Sequence, residues 1–436
     1  DDTLKIHEKK KYEAILYERA DETDYQQSLK ELSYYLHSYY NQNVVILIDE
    51  YDAPIQAGYR KFYKEVIGFM RNLLSGALKD NKYLYKGIIT GILRVSRESI
   101  FSGLNNLTVH SILESRFSDN FGFTKDEVKQ ILVDFEVPTD FSEIQKWYDG
   151  YNFANTTNIY NPWSILNYVV EYQDGFRTYW ANTSSDDLIK QEICKKDAET
   201  IRTDIMKLIS GEAIEKDIEP NFVFPDLEFD NELLWTLLLF SGYLTVKDKI
   251  SRKEYSLVIP NAEVRTVYQD IILKWIKIDL KIQATLLKET ISYLTNNEID
   301  KFEHGFRKIM GDTFSYFDTG KEPEYAYQSY VLGLLAIIGD DYIIKSNRES
   351  GEGRYDVMLI PHDKTKYGIV IEIKTLPKDA DTETINAKIV KAQKQIEKNR
   401  YYNELIENKI TPENIIKLPI IFTGKEPYIN QLKITN

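Results

Sequence analysis

The chain has a single cysteine, Cys194, in 436 residues. That excludes an internal disulfide framework and a cysteine-based zinc site. Its five histidines (His7, His37, His110, His304 and His362) are scattered, with no pair at metal-ligand spacing. No apolar run approaches the roughly 20 residues of a membrane-spanning helix, and no secretory leader pattern is visible. An excess of positive charge is also missing. The net charge of −13 argues against a non-specific coat for nucleic acid, but not against a local basic surface. A cytoplasmic protein with no membrane partner is the expectation, with homo-oligomerisation left open.

At this length a single core is too small an answer, and two or three domains are expected. Near the start, Leu29, Leu32, Leu36 and Tyr39 recur at helical spacing within residues 24–41. The continuous apolar run 44–48 reads as a buried parallel strand. A helix over 59–80 and a second apolar strand over 87–92 follow. This alternation predicts an α/β layer with a parallel sheet. From 125 to 295 the chain reads as mostly helical, with strand-like pieces at 242–246 and 255–259. Pro220 and Pro225 mark a connector. After 296 a helix (325–338) precedes strands at 342–346, 354–360 and 367–374. A helix (384–402) and a strand (416–422) complete an α/β unit of ordinary domain size. TGKEP occurs at both Thr319 and Thr423, a match too short to argue a repeat.

The stretch RYDVMLIPHDKTKYGIVIEIKT, Arg354 to Thr375, holds the chemistry. If the polar stretch 362–366 forms the turn, the pairing is symmetric about Lys364 and sets Asp356 opposite Glu372. Side chains alternate along a strand, so Asp356, Glu372 and Lys374 converge on one face. Like charges facing each other across strands are destabilising. A divalent cation would offset that, because Mg²⁺ is held by one or two carboxylates plus water and phosphate. Such a metal generates hydroxide and stabilises the departing oxyanion in phosphodiester cleavage. Lys374 is placed to orient water or to meet charge on phosphorus. The same spacing also fits a plain surface hairpin in which Lys374 neutralises Glu372.

The stretch SNRESGEGRYDVMLIP…IVIEIKT resembles the core of the PD-(D/E)XK nuclease superfamily, in particular the C-terminal nuclease of bacterial proteins that pair it with an AAA-ATPase-like domain. The resemblance implies a restriction-endonuclease-like fold, Asp356 and Glu372 as metal ligands, and Mg²⁺ or Mn²⁺ as cofactor. It implies Lys374 as a catalytic residue and Gln395, on the following helix, as a site glutamine. Glu324 is the candidate upstream acid, with Glu322 as competitor. Where relatives tend to carry Tyr-His, this chain has Tyr327-Gln328. Arg348 and Arg354, in a rim with Gly351 and Gly353, are candidate phosphate contacts; a flexible charged loop reads equally.

VVILIDEYDAP, beginning at Val44, has the form of a Walker B strand. Asp49 would help hold Mg²⁺ near a nucleotide, and Glu50 would orient the hydrolytic water. KDNKYLYKGIITGILRVSRESIFSGLNNL, FGFTKDEV, WYDGYNF and YWANTSS resemble the AAA-ATPase-like part of the same family. Thr90 then becomes a candidate sensor and Arg94 a candidate phosphate contact. The aromatic WYDGYNF, Trp147 to Phe153, could stack bases, although packing explains it more simply. No GxxxxGK[ST] phosphate loop occurs anywhere. The resemblance places that loop upstream, so tight ATP binding is expected only if such a segment is present.

The domains expected are 1–124, AAA-ATPase-like, with a P-loop NTPase parallel sheet but without its phosphate loop; 125–295, a helical lid or connector; and 296–436, nuclease-like. The expected function is metal-dependent hydrolysis of nucleic acid, with DNA as the substrate, regulated by the AAA-like module. The alternative is an ATP-binding switch or partner-binding module with an inactive nuclease fold.

Overall fold

The computed structural model describes residues 4–59, 61–92, 107–180, 199–209, 211–222, 224–278, 284–313, 323–335, 338–339, 341–346, 349–350 and 353–429. It is mixed α/β. The helices are α1 (Ile6–Leu16), α2 (Glu22–Tyr40), α3 (Ala53–Gly58), α4 (Tyr63–Leu78), α5 (Lys125–Asp134), α6 (Phe141–Tyr148), α7 (Pro162–Glu171) and α8 (Glu199–Ile209). They continue with α9 (Leu233–Phe240), α10 (Ala262–Ile278), α11 (Ala284–Thr295), α12 (Ile299–Thr313), α13 (Pro323–Leu335), α14 (Thr382–Lys398) and α15 (Asn403–Glu407). No described helix is long and apolar enough to cross a membrane.

The first unit pairs strand β1 (Val44–Ile48) in parallel with β2 (Leu84–Ile89). Helix α2 starts where the Asp21 side chain accepts the Asp24 N–H (2.9 Å) and stops at Asn41, whose φ of 51° is left-handed. Helix α4 presents Ile67, Met70, Leu74 and Leu78 on one face and packs with Ile46 and Ile55 into a common core. Phe222, Leu227, Leu233 and Leu237 join that core from the middle of the chain. The helix expected over 59–80 is α4, which starts four residues later and ends two earlier; a further short helix, α3, precedes it. The strand expected over 87–92 lies three residues earlier. A parallel pair is present, but the described residues contain only these two strands of the sheet.

The middle region is helical around two small sheets: β3 (Tyr151–Phe153) with β4 (Thr156–Ile159), and β5 (Ile214–Asp217), β7 (Glu254–Val258) and β6 (Thr245–Lys249) in that spatial order. The connector between Pro220 and Pro225 runs into a 3₁₀ turn, Phe224–Glu228. The aromatics of WYDGYNF are packing residues. Tyr148 is fully buried against Tyr168 and Phe176, Trp147 stacks on Phe176, and the Tyr151 hydroxyl donates to Gly242 O. Tyr179 and Trp180 anchor through their N–H groups to the buried carboxylate of Glu263 at 2.6 and 2.7 Å.

The last unit is a five-stranded sheet. Its elements are β8 (Tyr342–Ser346), β11 (Val357–Pro361), β12 (Gly368–Leu376), β13 (Ile415–Thr423) and β14 (Glu426–Tyr428), with the short hairpin β9 (Glu349–Ser350) and β10 (Gly353–Arg354) separate from it. The order is β14-β13-β12-β11-β8, antiparallel except for β12 with β13. A parallel pair needs a crossover connection, which α14 and α15 supply. Strand alternation splits the sheet into two faces. Val357, Leu359, Ile369, Ile371 and Ile373 enter the main core with α13. Met358, Ile360 and Val370 pack with Ile396 and Tyr401 on the other side. Pro419 sits where β13 has no partner on its outer side, since β14 pairs only with residues 421–423.

The strand expected over 354–360 is interrupted: Tyr355 and Asp356 form a bend between β10 and β11. Arg94, Arg348 and Glu322 lie outside the described residues, as does the side chain of Arg354. Because Ile371 is fully buried in the main core, Ile371→Ala is expected to cost about 2–5 kcal/mol, read from the chemical-unfolding midpoint. An unchanged midpoint would contradict the packing described.

Candidate functional site

The β11–β12 ladder pairs Val357 with Ile371, Met358 with Val370 and Leu359 with Ile369. One step further along this register sets Asp356 against Glu372. Glu372 points to the α14 side of the sheet and is 1% exposed. Helix α14 buries Ile385, Ile389, Ala392 and Ile396 against the sheet, which brings Gln395 to the edge of that buried face. Gln395 Nε2 donates to Glu372 Oε1 at 2.6 Å. The Tyr401 hydroxyl stands 3.2 Å from the same nitrogen and accepts Asn399 Nδ2 at 2.8 Å.

Lys374 follows on the same face. Its Nζ is 2.9 Å from Glu372 Oε1, 3.9 Å from Asp356 Oδ2 and 3.9 Å from Glu324 Oε2. Asp356 leaves the strand because its carboxylate takes the Ile373 N–H at 2.6 Å. Its own carbonyl accepts Gln328 Nε2 at 2.8 Å. Glu324 and Gln328 are four residues apart on α13, hence on one face. Glu324 therefore stands at the open edge of the cluster while Gln328, buried, pins the main chain of Asp356. The sequence named Gln328 only as standing where relatives tend to carry histidine and gave it no role, and it did not mark Tyr401. The four-residue spacing from Glu324 was a usable signal for the first; nothing local marks the second.

At the other candidate site, Asp49 and Glu50 are exposed just past β1. The Thr90 hydroxyl, at the end of β2, donates to Asp49 Oδ1. Glu50 has a left-handed φ of 51°, and its N–H meets Asp49 Oδ1 at 3.0 Å. The turn is braced by Asp52, which is buried and accepts the Ile92 N–H at 3.1 Å. Gly91 permits this approach, since a Cβ there would come within 2.6 Å of Asp52 Oδ1 and of the Tyr51 ring. Asp49, Glu50 and Thr90 are thus together.

Residues 322–432 match the family model described as PD-(D/E)XK nuclease superfamily, and residues 2–101 match the one described as Predicted AAA-ATPase. The chain carries an AAA-ATPase-like domain followed by a PD-(D/E)XK nuclease domain. Among curated proteins it is similar to an uncharacterized protein in the vnfD 5′ region of Azotobacter chroococcum mcd 1, 28% identical over 243 residues. That match covers 54% of this chain and 44% of the relative, so the chain spans less than half of that protein's length. No solved structure matches.

Burial is the main reason that the Glu372 carboxyl in the PD-(D/E)XK domain is pushed up to about 7, and Asp356 adds to it while Lys374 opposes. Burial likewise raises Asp356, against the pull of Lys374 and the Ile373 N–H. Burial disfavours the charge on Lys374, but Asp356, Glu372 and Glu324 outweigh it and its pKa is raised. Glu372 Oε2 is buried with no hydrogen-bond partner among the described residues, a costly state for a carboxylate oxygen. Two hard oxygen donors facing each other, one with a free oxygen, fit Mg²⁺ or Mn²⁺. Among the described residues no group of three or more His, Cys, Asp or Glu side chains could hold a metal ion. Asp356 and Glu372 would therefore leave most of the coordination sphere to water and substrate oxygens.

Without divalent metal, a carboxyl raised in the folded state contributes stability below its unfolded pKa and loses it as pH rises toward about 7. Glu372→Gln removes that loss. In chelator its thermal midpoint should exceed wild type at pH 8, with the gain shrinking toward pH 5. A gain independent of pH would show that ionisation of Glu372 is not its source.

Proposed function

We propose that the chain is a metal-dependent nuclease that hydrolyses phosphodiester bonds of nucleic acid, with DNA as substrate, and that its AAA-ATPase-like domain regulates it. The carrying observation is the convergence of Asp356, Glu372 and Lys374 on one face of the sheet. Asp356 and Glu372 would hold Mg²⁺ or Mn²⁺, which supplies Lewis-acid stabilisation of the phosphoryl oxygens and a more acidic bound water.

The protein's own groups do the rest. Gln395 holds the Glu372 carboxylate by donating to Oε1, and the unpartnered Oε2 is the oxygen that would ligate a metal. Gln328 and the Ile373 N–H fix Asp356 from both its ends. Lys374, three donors on a flexible stem, orients water toward phosphorus and meets the charge that develops on its oxygens. The surrounding carboxylates keep Lys374 protonated for that role. Glu324, half-exposed with its carboxylate 3.9 Å from Lys374, is the carboxylate at the open side of the site that would accept a proton from the attacking water.

A second reading, an ATP-binding switch with an inactive nuclease fold, is favoured by Asp49 and Glu50 exposed at the end of β1 with the Thr90 hydroxyl on Asp49. ATP turnover abolished by Glu50→Gln, with no cleavage by wild type, would select it.

The nuclease reading expects Mg²⁺- or Mn²⁺-dependent cleavage of DNA, reduced about 10²–10³-fold or more in Glu372→Ala and Lys374→Ala. A readout independent of cleavage is the Mn²⁺-induced rise in thermal midpoint, expected in wild type and absent in Glu372→Gln. Equal cleavage by wild type and both alanine variants would remove this site from the chemistry.

A further inference from the structure

Helix α14 carries Lys388, Lys391, Lys394 and Lys398. At 3.6 residues per turn they fall within an arc of about 120° on the helix surface, and Gln395 lies inside the same arc. Lys391, Lys394 and Lys398 are exposed, and Lys388 is half-buried. None of the four has an ion pair among the described residues. The helix's own acids lie elsewhere: Glu383 is in the first turn, and Glu397 is paired with Lys417 at 2.7 Å. Lys388–Lys391 and Lys391–Lys394 are three apart and Lys394–Lys398 four apart. Each such like-charged pair destabilises the helix. In a chain of net charge −13, a run of mutually repelling, unneutralised lysines marks a surface that meets an anion.

Its position says which anion. Gln395 donates to Glu372, so the arc is tied to the candidate active site, with Lys391 and Lys398 about one turn to either side of that contact. From Lys388 to Lys398 the helix rises about 15 Å, the axial length of about four phosphates of one strand at 3.4 Å each. The spacing suits a repeating anion of extended length rather than a single phosphate. Lysine meets phosphate as a point charge and reads no base.

We propose that the lysine face of α14 is the track on which the sugar-phosphate backbone of the DNA is held as it enters the Asp356–Glu372 site. This rests on the nuclease reading and adds to it a binding surface that is independent of base sequence. The track contributes affinity and alignment, and Lys374 remains the only lysine in the chemistry.

The test is fluorescence anisotropy of a labelled DNA duplex, and of its single strand, across a salt series in Ca²⁺, paired with cleavage kinetics in Mg²⁺. K391A/K394A/K398A should weaken binding about tenfold or more at moderate salt. It should also flatten the plot of log affinity against log salt by about 2–3. KM should rise more than kcat falls, and K391R/K394R/K398R should restore the slope. Removing Lys129, Lys249 and Lys253, from α5 and the β6–β7 hairpin, controls for net charge and should leave the slope unchanged. If wild type cleaves DNA and the triple alanine variant keeps its salt slope, the track is wrong and the nuclease stands. If wild type neither binds nor cleaves either DNA, both fall together.

Discussion

A carboxylate held at 1% exposure beside a second carboxylate cannot stay charged without help, and the C-terminal half of this protein is organised around that condition. Glu372 is forced inward by strand alternation, because its neighbours Ile371 and Ile373 must fill the core on the opposite face. Once inside, it draws on Lys374 and Gln395 for one oxygen and leaves the other without a partner. Asp356 adds repulsion that the Ile373 N–H and Lys374 only partly offset. Such an arrangement costs stability and persists where a ligand of opposite charge repays it.

The elements that create this tension also aim it. Helix α14 closes the parallel crossover between β12 and β13, covers the sheet with Ile385, Ile389 and Ile396, and delivers Gln395 to Glu372 from the same turns. Helix α13 packs Tyr327 on Phe422 with ring centroids 4.1 Å apart, and so carries Gln328 to the main chain of Asp356. Each helix therefore has a packing face and a polar edge, and the site is where the two polar edges meet across the sheet. The AAA-ATPase-like domain repeats the theme in a simpler form: acids at a strand end, a hydroxyl from the neighbouring parallel strand, and a glycine that lets a buried aspartate brace the turn.

Much of this was legible from local pattern. The apolar runs of β11 and β12, the polar turn between them and their symmetric register follow from a few residues, and the ladder agrees with that register; β1 is a parallel strand as expected, but Val45 and Leu47 are exposed rather than buried. The helix expected over 384–402 is present as α14, shorter at its C-terminal end, where Asn399 caps it. Errors arose where tertiary demands override propensity. The strand through Asp356 breaks because the side chain, rather than a strand carbonyl, takes the Ile373 N–H. The helix expected over 59–80 starts only at Tyr63, after a non-helical Phe62 at its N-cap.

From the sequence, Asp356, Glu372 and Lys374 share a face once five residues form the turn, since strand side chains have a period of two. The sequence also determined the pairing of lysines and glutamine on one arc of α14, since a period of 3.6 does the same for a helix. Only the tertiary structure decided that Gln395 reaches the Glu372 carboxylate, that Gln328 reaches the Asp356 carbonyl and Tyr401 the Gln395 amide, and that Glu372 is buried while Glu324 stays at the edge. Contacts between residues 23 to 28 positions apart depend on how helices dock on a sheet, and docking is set by the whole core rather than by any local run of residues.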